Sequence, residues 1–492
     1  MASLVPRTPY TDDELRKLYP AGLELQLVQI LMRHGERTPV SARFQNAGLP
    51  AFWPYCSSVR HFQSAILNGS ADRPVDTLEW RRRLETFGDN DAPVLARGPN
   101  HEVDGVCDMG SLTDLGRQST YALGLRLRQL YIDRLRFLPP SLTSTNTLYL
   151  RATPVPRALE SLQQAFSALY PPSARVAAPD GRFPAPAIVT RTPADETLYP
   201  NDGNCRRFAA LSRAFAQRAA DRWNDTPDMA YLAGLYGRWM PAGTAVAVDS
   251  RPRLSGIMDT VNSTLAHGPD TRLPREFYDA RAREIMERIG VEEWFAGYKE
   301  SREYRMLGIG GLLGDVVGRM VGSVEEGTPR GDERVRLGLS GCHDTTLAGV
   351  LMSLGAYDTD AWPPFTSHIA IEMFRAARAL PPPTEKTGWW GSLFGSGASA
   401  GTGIRRKPTT ELTPGEKGAL DGYYVRMRYN DEPVTIPACR IPGNHLEGDE
   451  SFCTLAAFKT VVDKFTPTNW REQCRMNRGQ PVVPAEPEWA GH

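Results

Sequence analysis

The sequence predicts an α/β fold: a three-layer core with a mainly parallel mixed sheet flanked by helices, plus an inserted helical cap domain. Three observations carry this reading. Apolar, strand-like segments alternate with amphipathic helical ones, as in sheets covered by helices. Three of those strands run straight into polar or cationic residues at their carboxyl ends, where such sheets bind ligands. A long stretch, 195–330, is rich in Arg, Trp and Tyr and has helical patterning without strand signals.

The elements follow in order. Residues 1–24 read as an N-terminal extension. Met1–Pro20 has no apolar h-region and is acidic at Asp12, Asp13 and Glu14, so neither a secretory signal nor a standard transit peptide is expected. That points to an intracellular chain, cytoplasmic or mitochondrial. Leu23–Met32 begins with alternation and becomes continuously apolar, the pattern of a central buried strand, and ends at Arg33-His34-Gly35. Residues 41–105 are an irregular insertion. Asn146–Leu150 is a strand that ends at Arg151. A helix follows over Pro156–Leu169, with Leu159, Leu162, Phe166 and Leu169 on one face and Pro156 in the first turn.

The helical cap then occupies 195–330. Val335–Leu339 is a strand ending at Ser340-Gly341-Cys342-His343-Asp344. Leu347, Val350, Leu351 and Leu354 mark a helix capped by Asp344 and stopped at Gly355. Ile369–Phe374 and Tyr423–Tyr429 are further strands. Between them lies a flexible loop, Gly388–Gly403, whose Trp389, Trp390 and Phe394 are expected to fold back on their own domain. The core is thus expected at 25–40, 106–194 and 331–437, with a C-terminal segment at 438–492, all in one unit.

Composition narrows the function classes. The 57 Lys+Arg and 57 Asp+Glu cancel, which removes the long-range attraction that draws basic proteins to nucleic acid. At 492 residues and 41% hydrophobic, the chain can bury a large core, which excludes collagen, coiled coil and disorder. Gly308–Val321 is short of the roughly 20 residues a membrane span needs and is interrupted by Asp315 and Arg319. No integral membrane segment is expected. Gly310, Gly314, Gly318 and Gly322 fit one close-packed helix face better than a dinucleotide loop. Seven cysteines cannot all pair, none forms a CxxC, and no Cys/His cluster has zinc spacing, so no metal is expected.

Chemistry concentrates in Arg33-His34-Gly35-Glu36-Arg37-Thr38-Pro39. An imidazole nitrogen can attack phosphorus while flanking guanidiniums bind the equatorial oxygens, and glycine lets the backbone turn closely around a phosphate. A histidine between two arginines at the end of an apolar strand fits this better than a satisfied core histidine flanked by surface charges. His343-Asp344 could be a helix cap with a solvated histidine, but a capping Asp and a catalytic Asp are compatible. Arg151, and Arg157 after it, would otherwise be surface salt-bridge residues.

Four segments carry a family resemblance. RHGERTP matches an RHGxRxP signature, and LTDLGRQ at Leu112–Gln118 resembles an LTxxGxxQ helix start. LYLRATPVPRALESLQQAF resembles a segment that supplies a third phosphate-binding arginine, and SGCHDTTLAGVL resembles a His-Asp motif. In this order and spacing they resemble the histidine acid phosphatases, branch 2 of the histidine phosphatase superfamily, from roughly Leu25 to Cys474.

The resemblance implies His34 as nucleophile and Asp344 as proton donor to the leaving oxygen. Arg33, Arg37, Arg151 and His343 would bind the phosphate, with no cofactor. Pro154, Val155 and Pro156 stand where family members often have an Asp two residues before the arginine equivalent to Arg157, so the role of Arg157 is left open. The implied function is a metal-independent acid phosphatase that hydrolyses small phosphomonoesters through a phosphohistidine, with an acidic optimum. Lysophosphatidic acid phosphatases are the relatives it looks most like. The alternatives are a phytase or mutase-like relative and a phosphate-binding pseudoenzyme. The same resemblance makes Cys439–Cys453 and Cys205–Cys474 candidate disulfides, whereas a cytosolic chain would keep these thiols reduced. The oligomeric state is open.

Overall fold

The strand Leu23–Arg33 is buried on both faces from Leu27 onward, which is why its sequence turns from alternating to mainly apolar, and the fold is built around it. The computed structural model describes residues 2–67, 75–179, 181–325, 334–357, 359–377, 403–477 and 479–492. Its strands are β1 (Leu23–Arg33), β2 (Phe62–Leu67), β3 (Val75–Trp80), β4 (Glu85–Phe87), β5 (Pro93–Leu95), β6 (Leu148–Ala152) and β7 (Ile188–Val189). β8 (Leu337–Cys342), β9 (His368–Ala376), β10 (Tyr423–Tyr429), β11 (Glu432–Val434), β12 (His445–Leu446) and β13 (Asp449–Thr454) follow. The main sheet runs β12-β13-β10-β9-β1-β8-β6-β7, with β11 also on β10. It is mixed: β1, β8, β6 and β7 are parallel, and β9, β10, β13 and β12 complete it antiparallel. The three strands expected to lead into the site therefore lie side by side.

The main helices of the N-terminal half are α1 (Asp12–Leu18), α2 (Asp114–Arg128), α3 (Pro156–Leu169), α4 (Arg206–Trp223), α5 (Pro227–Tyr236) and α6 (Leu254–Ala266). They are followed by α7 (Ala280–Glu300), α8 (Arg302–Arg305), α9 (Gly311–Glu325), α10 (Asp344–Ser353), α11 (Pro414–Gly418), α12 (Leu455–Asp463) and α13 (Trp470–Gln473). α3 forms over the residues its periodicity predicts. Period-2 alternation divides β1 between two cores. Val28, Ile30 and Met32 meet α2 and α3 on one face, while Leu27 and Leu31 meet α9, α10 and α12 on the other.

The helical stretch 195–330 divides in two. α5, α6 and the first half of α7 build a separate core around Leu232, Tyr236, Ile257, Phe277 and Ile289, which Phe44, Leu49 and Trp53 of the 41–105 insertion share. α9 instead returns to the sheet. Gln29 donates to Val316 O, and the α9 glycine face meets Thr466 and Arg405, as the four-residue glycine spacing predicts. The helix Arg302–Glu325 is long and apolar enough to cross a membrane, but 78% of its apolar window is buried, the pattern of a core helix. Residues 388–402 of the expected flexible loop, with Trp389, Trp390 and Phe394, lie outside the described residues.

Three disulfides close the fold: Cys205–Cys474, Cys439–Cys453 and Cys56–Cys107. The first two are the pairs the family resemblance implied; the last was not foreseen. Cys342 stays free and buried. The N-terminal extension is docked through buried charge. Glu372 on β9 is fully buried between Arg426 and Arg428 of β10, and the hydroxyls of Tyr19 and Tyr131 donate to it at 2.6 and 2.7 Å.

Candidate active site

The turn after β1 is shaped by two glycines. A Cβ on Gly35 would stand 2.3 Å from the Gly116 carbonyl oxygen, and one on Gly116 would stand 2.2 Å from that of Glu36. Only two bare backbones can pack this closely. Thr113 caps α2, accepting from Gly116 N and donating to Glu36 O. The LTDLGRQ segment thus clamps RHGERTP in place.

The His34 ring is buried, and its Nδ1 lies 2.9 Å from the Gly35 carbonyl oxygen. A carbonyl can only accept, so Nδ1 carries the proton and Nε2 keeps its lone pair. Burial, reinforced by Arg157, Arg33 and Arg37, holds the imidazole well below its ordinary range, so it is neutral at physiological pH.

Arg33 Nη2 lies 2.8 Å from Asp344 Oδ2, its Nη1 donates to Pro363 O at 2.5 Å, and its guanidinium lies 4.1 Å from the Phe365 ring centre. Arg37 pairs with Asp259 of α6 at 2.7 Å, which places the cap over the carboxyl ends of the strands. Arg157 reaches in from the first turn of α3. Burial and then Arg37 bring it down to about 10, which leaves it cationic.

His343 caps α10 through Thr346, so Asp344 is the first helical residue and not the cap. The His343 ring centre is 5.5 Å from that of His34, and its Nε2 is 3.1 Å from Thr153 Oγ1. Burial and Arg157 depress its pKa. Burial would raise the pKa of the Asp344 carboxyl, but Arg33 and the Trp362 indole N–H, which donates to Oδ2 at 3.0 Å, pull it down further.

Arg33, His34, Arg37, His343 and Asp344 therefore converge as expected. Arg151 does not join them. Its register partner is Ser340, two residues short of Cys342, which pairs with Arg33. Its fully buried guanidinium turns away from the site, donating to Glu196 at 2.6 Å and Thr197 at 3.0 Å in the chain before α4 and lying 3.8 Å from Asp315 of α9. Arg157, whose role was open, stands in its place as the foremost charge acting on both histidines.

Sequence reasoning missed Asp259, Thr153 and the Trp362-Pro363-Pro364-Phe365 loop that wraps Arg33 and Asp344. The loop's Trp-Pro-Pro-Phe string was its one visible signal; Asp259 had none. Among the described residues, no group of three or more His, Cys, Asp or Glu could hold a metal ion.

With this geometry in view, comparison with known proteins is specific. Residues 24–430 match the family model of the histidine phosphatase superfamily (branch 2). A Schizosaccharomyces pombe protein named "Probable acid phosphatase" is 36% identical, over 93% of this chain and 95% of its own. Human lysophosphatidic acid phosphatase type 6 is 26% identical, over 72% of this chain and 74% of its own. The crystal structure of a Bifidobacterium longum multiple inositol polyphosphate phosphatase shares the fold at 12% identity, with a TM-score of 0.52, covering 93% of this chain and 96% of that one. A matched family model over most of the chain, a relative of this identity and a shared fold agree: the chain belongs to branch 2 of the histidine phosphatase superfamily.

Proposed function

We propose that His34 is the nucleophile of a two-step phosphomonoester hydrolysis in which Asp344 handles the proton. The chain is an acid phosphatase, a phosphoric monoester hydrolase. In the first step His34 Nε2 attacks phosphorus, the ester P–O bond breaks, and Asp344 gives its proton to the departing alkoxide. In the second, the Asp344 carboxylate takes a proton from water, and the resulting hydroxide breaks the P–N bond to release phosphate. Arg33, Arg37 and Arg157 hold the phosphoryl oxygens, with His343 beside them, and stabilise the charge that develops in each transition state. Arg157 takes the role the resemblance gave to Arg151, because the Arg151 charge is already met by Glu196 and Asp315.

One observation carries the reading most: a neutral His34 whose Nδ1–H is tied to Gly35 O, so that Nε2 is the free nucleophilic atom among cations. The test is p-nitrophenyl phosphate turnover at acid pH with labelled-substrate quenching. Wild type should trap phosphohistidine, and His34→Ala should trap none and turn over none. Asp344→Asn should lose roughly 10²–10⁴-fold on an alkyl phosphate and much less on p-nitrophenyl phosphate, whose leaving group departs without a proton. Equal losses on both would remove Asp344 from the role.

Similarity to lysophosphatidic acid phosphatase type 6 supports lysophosphatidic acid as the first natural substrate to assay. Three disulfides support maturation in an oxidising compartment over the cytoplasm, where thiols stay reduced. Thiol counting on protein isolated under alkylating conditions tests this: one free thiol, Cys342, is expected, and seven would refute it.

A further inference from the structure

We infer that Asp259 sets the substrate class of this site, admitting esters with a single phosphate and turning away polyphosphorylated ones. The inference rests on the reading that Arg37 binds the reacting phosphate.

Asp259 belongs to the cap, held on α6 between Ile257 and Val261 of the cap core. Its Oδ1 lies 2.7 Å from Arg37 Nη1. Its Oδ2 accepts from the backbone N–H of Val40 at 3.1 Å and lies 3.5 Å from Arg43 Nη1. Side-chain exposure rises from 9% at Arg37 through 13% at Asp259 to 19% at Arg43, so the chain of charge runs outward from the phosphate cluster. Asp259 is therefore the carboxylate on the outer side of Arg37, and the inference is that the part of the substrate beyond its reacting phosphate runs past it.

The charge arrangement then decides what fits. The guanidiniums of Arg33, Arg37, Arg157 and, further out, Arg43 face the carboxylates of Asp344 and Asp259, which leaves two excess positive charges beside two neutral histidines. A single phosphate dianion balances that excess. A second phosphate beside the first would find Arg43 already engaged by Asp259 and by Thr260 Oγ1 at 3.4 Å, and would meet the carboxylate itself. Like charges in a water-poor site repel strongly, whereas a neutral hydroxyl on the leaving group could donate to Oδ2.

The test compares glycerol 2-phosphate with inositol hexakisphosphate in wild type and Asp259→Asn, a change that keeps shape and removes charge. The ratio of kcat/KM for the hexakisphosphate to that for the monoester should rise at least about tenfold in the variant, mainly through KM. A ratio within twofold of wild type overturns the inference, whatever happens to the absolute rates. Calorimetric titration of wild type with inorganic phosphate and with inositol hexakisphosphate covers the case in which the variant does not fold. Tighter binding of the hexakisphosphate to wild type would overturn the inference, and weaker binding would support it. A wild type that turned over neither ester would count against the catalytic reading alone, since the calorimetric comparison needs no turnover.

Discussion

Arg33 and Asp344 are ion-paired at 2.8 Å, so the guanidinium proposed to receive the phosphate is the one that keeps the proton donor ionised. Burial pushes the Asp344 carboxyl up, and Arg33 is the largest influence holding it down. An anion that engages Arg33 weakens that hold, and burial then favours the protonated acid. Sulfate, a dianion across the working range, should therefore bind with uptake of a proton. Its affinity should fall by up to about tenfold per pH unit as pH rises between the free and bound pKa values of Asp344. Calorimetry from pH 4 to 7 measures this slope, and Asp344→Asn should flatten it. An equal slope in the variant would move the proton to another group.

Trp362 makes a second, independent claim on Asp344. Its indole N–H ends on the same Oδ2 as Arg33, but as a neutral donor that carries no charge for an incoming anion to engage. Removing a donor to a carboxylate raises its pKa, so Trp362→Phe should keep Asp344 protonated to higher pH. The alkaline limb of kcat should move up by about one pH unit. A drop in kcat with the limb unmoved would mean that Trp362 serves packing only, against Phe295 of α7.

Arg151 of β6 and Arg157 of α3 should separate cleanly. Arg157→Met should lower kcat/KM by about 10²–10³-fold, the scale of one lost transition-state contact, with little change in thermal stability. Arg151→Met should do the reverse. It leaves Glu196 buried and unpaired, which costs about 3–5 kcal/mol, while kcat/KM of the folded fraction stays within a few-fold. Thermal unfolding and steady-state kinetics on the same preparations decide between them.

That pair also shows how far the sequence was legible. β1, α3 and β10 announce themselves by period and by their flanking residues, and His34, His343 and Asp344 sit in short motifs whose chemistry is readable locally. Which arginine faces the site is a matter of register: Arg151 lies two residues deeper in the sheet than Arg33 and points at α9. No local pattern carries that offset. Asp259 occupies an ordinary position on an amphipathic helix, and its meaning comes from Arg37, more than two hundred residues earlier in the chain. Cys56 and Cys107 are likewise paired by the folded insertion and by nothing in their spacing.

Acid tolerance should depend on Glu372. Burial pushes its carboxyl up, but Arg428, Arg426 and the Tyr19 hydroxyl outweigh that and bring it down to about 2 from 4.5. A carboxyl depressed on folding stabilises the native state above its unfolded pKa and loses that contribution only as pH falls through the folded value. Glu372 should therefore contribute about 3 kcal/mol down to roughly pH 4.5, declining toward pH 2. Glu372→Gln strands Arg426 and Arg428 and should cost about 3–5 kcal/mol at pH 6. The gap in melting temperature between variant and wild type should narrow below pH 4. A gap independent of pH would show that lost packing, not charge, is responsible.

The Cys205–Cys474 bond joins residues 269 positions apart, from the start of α4 to the end of α13, and so encloses most of the cap, two thirds of the strands of the main sheet and the proposed proton donor in one covalent ring. A protease that cuts once inside that ring linearises it without dividing the molecule. Nicked protein should migrate as a single species on a non-reducing gel and fall into two pieces only when the bond is reduced. His34 and Asp344 lie outside and inside the ring respectively, so the two halves of the proposed catalytic pair would travel together through a cleavage that would otherwise part them.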